Sequence, residues 1–161
     1  MEKENNILLL LSGILIISAV SISCNSGNIF SASETIDGHT WSASEVITFR
    51  APVNNTMKAC DINLVIRTDK SYPYRNLFLF ITTTAPAGLN IKDTVEYFLA
   101  DEKGNWYGSG LGDINDLSVP FKTNIFFPDT GIYTFRIQHG MRDQRLDGVA
   151  DIGIHIRERK Q

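Results

Sequence analysis

The clearest indication of the fold is the heptapeptide Asp129-Thr130-Gly131-Ile132-Tyr133-Thr134-Phe135. It matches the pattern D-x-G-x-Y-x-C of the tyrosine corner in immunoglobulin-like Greek-key sandwiches, with Phe135 where those domains have cysteine. In such a corner the tyrosine hydroxyl bonds to the backbone a few residues upstream. The motif therefore predicts a β-sandwich in which Tyr133, Phe135 and Ile137 point inward.

Strand patterns extend in both directions from this corner. Ile152, Ile154 and Ile156 alternate with polar or small residues, which is typical of a strand with one face in the core and one in water. The segment Asn76–Thr84 is apolar at consecutive positions, so we predict a central strand that is covered on both faces. Pro, Gly, Asn and Asp bound the segments as turn residues. The predicted strands are Glu45–Arg50, Lys58–Thr68, Asn76–Thr84, Asp93–Ala100, Val119–Phe127, Gly131–His139 and Val149–Glu158.

The strand pattern predicts one all-β domain. No segment after Ser44 has a convincing helical period, so we expect an antiparallel β-sandwich of about seven to eight strands with Greek-key or jelly-roll-like connections. We place this domain at residues 45–161. Residues 24–44 are mostly small and polar and are predicted to form a tether that Trp41 docks on the domain.

The N-terminus differs from everything that follows. Residues 7–22 read ILLLLSGILIISAVSI, which is shorter than the roughly 20 apolar residues of a spanning helix and typical of an export signal. Small residues then precede Cys24, as lipoprotein signal peptidase requires. We therefore predict that residues 1–23 are a lipoprotein signal peptide and that Cys24 carries a stably anchoring lipid. The alternative is an uncleaved signal anchor, which Ser21 favours because lipoprotein signals usually have Leu there.

Charge and cysteine usage exclude several classes of protein. The chain carries 15 basic and 18 acidic residues, for a net charge of −3, so no basic excess attracts nucleic acid. Once Cys24 is assigned to the lipid, Cys60 has no partner for an intrachain disulfide. Cys60 shares an alternating face with Ile62 and Leu64, and it is predicted to be a buried, inert thiol.

No pattern in the sequence predicts catalysis or a cofactor. His39, His139 and His155 have no neighbours at metal-ligand spacing, so no metal site is predicted from them. Ser109 lies in a glycine-rich stretch that lacks the strand-to-helix turn of a nucleophile elbow, and a flexible loop explains those glycines better. We therefore predict that the protein is not an enzyme and has no catalytic residues.

Two polar and aromatic clusters form a candidate interaction surface. Arginine and aromatic side chains are enriched at protein interfaces, although aromatics that cover a sheet edge beside solvated arginines would give the same pattern. The candidates are Tyr72, Tyr74, Arg75, Trp106, Arg142 and Arg145.

A ligand-binding alternative rests on the loop over residues 104–116. Trp106 and Tyr107 could contact a glycan. The oxygens of Asp113, Asn115 and Asp116 could hold calcium, because hard cations favour such groups. These features keep a glycan- or ligand-binding lipoprotein open as the alternative function.

Three segments resemble the gliding motility lipoprotein GldH family in order and spacing. They are Tyr72–Ile81, Asp93–Ile114 and Phe127–Arg142, and the resemblance covers about residues 45–158. A signal that ends in a lipidated cysteine is also similar to what that family shows. The resemblance implies a non-enzymatic cell-envelope lipoprotein of the gliding machinery, which is tied to type IX protein secretion.

The resemblance also implies partners and a location. Other gliding and secretion proteins are the expected partners, the membrane is contacted through the lipid, and only Cys24 is carried over as a functional position. Residues 25–28 lack the acidic run that resembles a surface-export signal. We therefore expect the domain to face the periplasm.

Overall fold

The computed structural model describes residues 27–110 and 112–159. The predicted signal peptide and Cys24 lie outside these residues. The described part is built from antiparallel strands with one short 3-10 turn at Asp37–His39. Its ten strands are β1 (Asn28–Thr35), β2 (Thr40–Ser42), β3 (Ile47–Val53), β4 (Cys60–Asp69), β5 (Asn76–Thr84), β6 (Asn90–Phe98), β7 (Ile114–Ile125), β8 (Gly131–His139), β9 (Arg145–Asp147) and β10 (Val149–Glu158).

The strands form two four-stranded sheets and one two-stranded sheet. Their orders are β1-β10-β4-β7, β3-β8-β5-β6 and β2-β9. These orders result from rolling up one long antiparallel ribbon, in which β1 to β5 pair in turn with β10, β9, β8, β7 and β6. Rolling then places β10 beside β4 and β8 beside β5. This connectivity is the jelly roll, so the predicted all-β sandwich is confirmed.

The core lies between the two large sheets. Ile152, Ile154 and Ile156 have no exposed surface, which confirms the predicted inward face of β10. The prediction that the other face lies in water is wrong for Asp151 and Gly153, which are also buried. Each buried isoleucine contributes about 1.5–3 kcal/mol relative to an exposed one. Cys60 is fully buried at the start of β4, as its place on an apolar alternating face predicts.

The tyrosine corner is present. The Tyr133 hydroxyl donates to the Asp129 carbonyl oxygen at 3.1 Å and accepts from the Asp129 N–H at 3.2 Å. The Phe127 ring packs on the Tyr133 ring with centroids 4.7 Å apart. Phe135 and Ile137 are fully buried, so the inward direction predicted for this strand is also confirmed.

The tether predicted over residues 24–44 is wrong for its described part. Residues 28–35 form β1, the edge strand that pairs with β10. The outward side chains of β1 face water, so Ser31, Ser33 and Thr35 give the segment a polar composition that hides its strand character. Trp41 lies in β2 and is fully buried, as its docking role requires. The sheets therefore begin at Asn28 rather than at the predicted residue 45.

Three of the seven predicted strands, β5, β8 and β10, have the predicted bounds. β5 is central in its sheet, between β8 and β6, as predicted. The prediction that β5 is covered on both faces is wrong, because Phe80 on its outer face is 48% exposed. The outer face of this sheet is open in the described structure, and consecutive apolar residues do not distinguish a covered face from an open one.

The sandwich has two ends, because neighbouring strands run in opposite directions. The end that we call the base holds the start of β1, the end of β10, and the turns 54–59, 85–89 and 126–130. The end that we call the distal end holds the connections 36–46, 70–75, 99–113 and 140–148. Strands of nine or ten residues separate the two ends by about 30 Å.

Candidate functional site

Two residues of the predicted interaction surface line one cavity at the distal end. Tyr74 and Arg142 border a shallow cavity of about 350 Å³ with an apolar floor. The Tyr74 hydroxyl donates to the Asp143 carboxylate at 2.7 Å, and this hydrogen bond raises the pKa of Tyr74 above its ordinary value. The remaining lining residues are Phe78, Gly140, Met141 and Asp143.

Tyr72 supports this surface from below instead of forming part of it. It is only 5% exposed, and its hydroxyl donates to the Asn76 carbonyl at 2.7 Å. Its ring meets Tyr74 and Trp106 edge-on, with centroids 6.1 and 6.2 Å away. Burial raises the pKa of Tyr72. Tyr72 therefore fixes the positions of the two aromatic rings beside it and is not itself available to a partner.

The other candidates also lie at the distal end. Trp106 is half-buried and forms an isolated β-bridge with Ala100. Arg75 is exposed, and its carbonyl accepts hydrogen bonds from the two residues that follow β6. Arg145 is exposed on β9, which pairs with β2. Within residues 27–110 and 112–159, Arg75, Arg142 and Arg145 form no salt bridge, and their charges are open to a partner.

A second feature of the distal end was missed by the sequence reasoning. His39 Nδ1 lies 2.5 Å from Asp69 Oδ2, and the Ser71 hydroxyl donates to Asp69 Oδ1 at 2.5 Å. The three residues line a cleft of about 590 Å³, together with Asp37, Thr40, Asp147 and neighbouring backbone. Burial alone would raise the pKa of Asp69, but the hydrogen bonds from Ser71 and His39 outweigh it and lower that pKa.

The order of hydrogen bonds in this cleft does not activate a nucleophile. A catalytic serine donates its proton to the histidine, and the carboxylate holds the far side of the ring. Here the Ser71 hydroxyl bonds to the Asp69 carboxylate itself. The arrangement suits recognition of a polar group. No local signal could have found it, because His39 lies in the connection between β1 and β2, Asp69 is the last residue of β4, and only the rolled ribbon brings them together.

The oxygens predicted as calcium ligands do not converge. The Lys70 ammonium pairs with the Asp113 carboxylate, and Arg67 Nε donates to Asp116 Oδ2 at 2.9 Å. Asn115 lies in β7, opposite Thr68. Among the residues with described positions, no three His, Cys, Asp or Glu side chains cluster as metal ligands. Two of the three predicted ligands, Asp113 and Asp116, are therefore paired with basic side chains.

The glycines around Ser109 allow two backbone segments to approach closely. Ser109 and Asp116 exchange two backbone hydrogen bonds, at 3.0 and 2.8 Å. A Cβ atom added to Gly108 would lie 2.5 Å from the Asp116 carbonyl oxygen. The stretch therefore forms a β-bridge against the start of β7.

In the described structure, no helix is long and apolar enough to cross a membrane.

The sequence profile of a family described as GldH lipoprotein matches residues 28–156. The chain belongs to the GldH lipoprotein family. A gliding motility lipoprotein GldH homolog from Christiangramia forsetii is 32% identical over 141 residues, which cover 83% of this chain and 86% of that protein. The gliding motility lipoprotein GldH of Flavobacterium johnsoniae is 30% identical over 156 residues, which cover 92% and 96%.

Two solved structures of one virus resemble the GldH-family fold distantly. The infectious bursal disease virus VP2 subviral particle has a TM-score of 0.38 and 13% identity over 80% of this chain. The structure of the Gt strain of that virus has a TM-score of 0.29 and 12% identity over 82%. This chain spans 32% and 35% of the two viral chains, about a third of each.

The GldH-family match and the jelly roll have nearly the same bounds. The match begins at Asn28, the first residue of β1, and ends at Ile156, two residues before the end of β10. The GldH-family domain therefore includes β1 and β2, which lie in the segment predicted as a tether. It also includes every distal-end residue of the candidate surface.

Proposed function

We propose that this GldH-family chain is a membrane-anchored lipoprotein of the cell envelope and a non-enzymatic component of the gliding motility machinery associated with type IX secretion. Lipid on Cys24 holds it to the membrane, and its domain faces the periplasm. Its partners are other proteins of the gliding and secretion machinery. The names of the two GldH relatives and the lipoprotein signal over residues 1–24 support this proposal.

The docking role is supported mainly by one observation. Exposed arginine and aromatic side chains lie together at the distal end of the domain. Arg142 and Tyr74 border a cavity whose floor is apolar. Tyr72 holds Tyr74 and Trp106 through edge-to-face contacts. A buried support beneath exposed aromatic and arginine side chains is the arrangement that protein interfaces use for their strongest contacts.

A non-enzymatic role is supported by the chemistry of the distal cleft. Ser71 donates to Asp69 and not to His39, so the cleft lacks the serine–histidine hydrogen bond of a catalytic triad. The glycan-binding alternative has weaker support. Trp106 packs edge-on against Tyr72, which leaves Tyr107 as the exposed aromatic of that loop.

The docking role is tested by charge reversal in the source organism. In a gene-deletion strain complemented with the Arg142→Glu variant, gliding is expected to be lost or strongly reduced. If the source organism does not glide, the measurement is instead cross-linking of the chain to its envelope partners, which should be lost or strongly reduced. Arg50→Glu is the matched control, because Arg50 is an exposed arginine of β3 on the outer sheet face that also forms no salt bridge among the described residues. Equal function in both variants would contradict docking at the distal end.

The anchor is tested separately. Metabolic palmitate labelling is expected to mark the wild-type chain in the membrane fraction and to be lost in Cys24→Ser. A labelled Cys24→Ser chain, or an unlabelled wild type, would remove lipidation at Cys24 from the proposal.

A further inference from the structure

Exposed apolar side chains are concentrated at the base of the jelly roll. Nine large hydrophobic residues are exposed in the described structure, and five of them lie in or beside the turns of the base. Met57 is 85% exposed and Phe126 is 58% exposed. Where exposed apolar side chains form a patch, that patch commonly marks a site of contact with a protein or a membrane. The five residues are Met57, Leu89, Ile91, Phe126 and Ile132.

The chain enters the domain beside these residues. The Gly27 carbonyl accepts a hydrogen bond from the Glu158 N–H at 2.7 Å, and the Ala59 carbonyl accepts one from the Arg159 N–H at 2.8 Å. Ala59 directly follows the turn segment that holds Met57 and Lys58. Phe126 follows the last residue of β7, the strand beyond β4 in the same sheet. Three strand spacings separate β1 from β7, about 14 Å across the sheet.

The number of residues between Cys24 and β1 limits how far the base can be from a membrane. Cys24 is four residues before Asn28. Four residues span at most about 14 Å even when fully extended. The polar headgroup layer on each side of a bilayer is itself about 5–8 Å thick. A lipid on Cys24 therefore holds the base at the headgroup layer or directly above it.

We infer that the base of the jelly roll rests on the lipid bilayer, with Met57 and Phe126 inserted at the headgroup level. This inference rests on the proposed lipidation of Cys24. It explains why an end of the domain that is otherwise built from turns has methionine, leucine, isoleucine and phenylalanine side chains in the solvent. Apolar side chains at an interface add binding energy in proportion to the area that they bury there.

Charge pairing at the base is compatible with this contact. Lys58 Nζ lies 2.6 Å from Glu158 Oε2, and Arg159 Nη1 lies 3.5 Å from Asp61 Oδ1. These two carboxylates thus have neighbouring cations that reduce their repulsion from anionic headgroups. Asp129 is the exception, because it is exposed and forms no salt bridge in the described residues.

The contact fixes the orientation of the whole domain. With the base on the bilayer, the distal end stands about 30 Å above it. The cavity between Tyr74 and Arg142 then points away from the membrane, where a protein partner can reach it. A domain whose base rests on the bilayer would hold its distal end at a fixed height above the membrane. The tether that composition alone predicts for residues 24–44 would not fix that height.

The test uses the full lipidated chain with single fluorescent labels. The variants Met57→Cys and Phe126→Cys carry an environment-sensitive nitrobenzoxadiazole label at the base, and Tyr107→Cys carries it at the distal end. Tyr107 is the matched control, because its side chain is 59% exposed against 58% for Phe126. The other thiol of the described domain, Cys60, is fully buried, and Cys24 is blocked by its lipid. The membranes are phosphatidylethanolamine and phosphatidylglycerol vesicles with or without a lipid that carries a nitroxide on its headgroup.

A blue shift and strong nitroxide quenching at positions 57 and 126, with neither at position 107, would support the inference. Equal quenching at all three positions, or quenching at none, would overturn it. Label-to-label quenching at position 57 that needs no nitroxide would show a contact between copies of the chain and would also overturn it. Mass spectrometry of the N-terminal peptide keeps the two proposals apart. An unlipidated Cys24 removes the proposed anchor and this inference together, whereas a lipidated Cys24 without base quenching removes the inference alone.

Discussion

Replacing Gly148 with alanine should destabilise the domain far more than the same change at a glycine with the same backbone conformation. Gly148 lies between β9 and β10 with a φ of +80°. An added Cβ would lie 2.2 Å from the Tyr72 nitrogen and 2.4 Å from its Cα. These are backbone atoms, so no side-chain rotation can relieve the contact. The Gly148 carbonyl also accepts a hydrogen bond from the Asp69 N–H at 2.9 Å.

Two costs combine in the Gly148→Ala variant. A left-handed backbone costs a residue with a Cβ about 1–2 kcal/mol, offset by about 0.4–1 kcal/mol because alanine restricts the unfolded chain. The backbone must also shift, and overpacking of this kind costs about 1–3 kcal/mol or more. The free energy of unfolding should therefore fall by about 2–4 kcal/mol, which lowers Tm by about 6–12 °C at about 3 °C per kcal/mol.

Comparison with Gly104→Ala isolates the cost of the backbone shift, because the Gly104→Ala variant carries only the cost of the left-handed backbone. Gly104 has a φ of +82°, but an added Cβ there would have nothing within 4 Å. This variant should lose at most about 1.6 kcal/mol. Urea unfolding followed by the fluorescence of the buried Trp41 measures both values. Equal losses in the two variants would refute the reasoning, because the close approach of the β9–β10 turn to Tyr72 would then contribute nothing.

Three further outcomes are expected. Burial lowers the pKa of His139 below its ordinary value near 6.5, so the unfolded chain takes up a proton first as the pH falls. The free energy of unfolding in urea should therefore decline from about pH 6.5 downward, with His139 contributing at most about 1.4 kcal/mol per pH unit. His139→Leu should flatten the slope only in part, because the pKa of His155 is also lowered; an unchanged slope would contradict this. Tyr133→Phe removes both hydrogen bonds to the Asp129 backbone and should cost about 1–2 kcal/mol in the same assay. Burial raises the pKa of the Cys60 thiol, so maleimide should label it only after unfolding, and rapid labelling of the folded chain would contradict its burial.

Much of the sandwich could be predicted from local pattern. The bounds of β5, β8 and β10 follow from the sequence, because apolar runs and turn residues mark them sharply. β1 and β2 could not be predicted. Their inward positions are few, and the outward positions of an edge strand are as polar as a linker. Which sheet face stays open, as at Phe80, depends on whether another layer packs there, and no property of the strand itself determines that.

Part of the candidate site could likewise be predicted from the sequence, and part could not. Arginine and aromatic composition predicted Tyr74 and Arg142 as interface candidates, and both residues border one cavity. Composition could not tell Tyr74 from Tyr72, although one is at the surface and the other is a buried support. The pairing of His39 with Asp69 was also beyond local pattern, because the connection after β1 supplies one residue and the end of β4 supplies the other.

The sequence by itself determined the fold class, the tyrosine corner at Asp129–Phe135, the family, and the prediction that Cys24 is the anchor. These depend on period, turn chemistry and short motifs, which are properties of neighbouring residues. Only the tertiary structure decided that residues 28–42 belong to the sheets. It also decided that three arginines without a salt bridge among the described residues lie at the distal end, and that exposed apolar side chains lie at the base. The physical reason is that rolling the ribbon brings residues from distant turns to a common end. The placement of Met57, Phe126 and the start of β1 at one end of the domain therefore exists only in the folded chain.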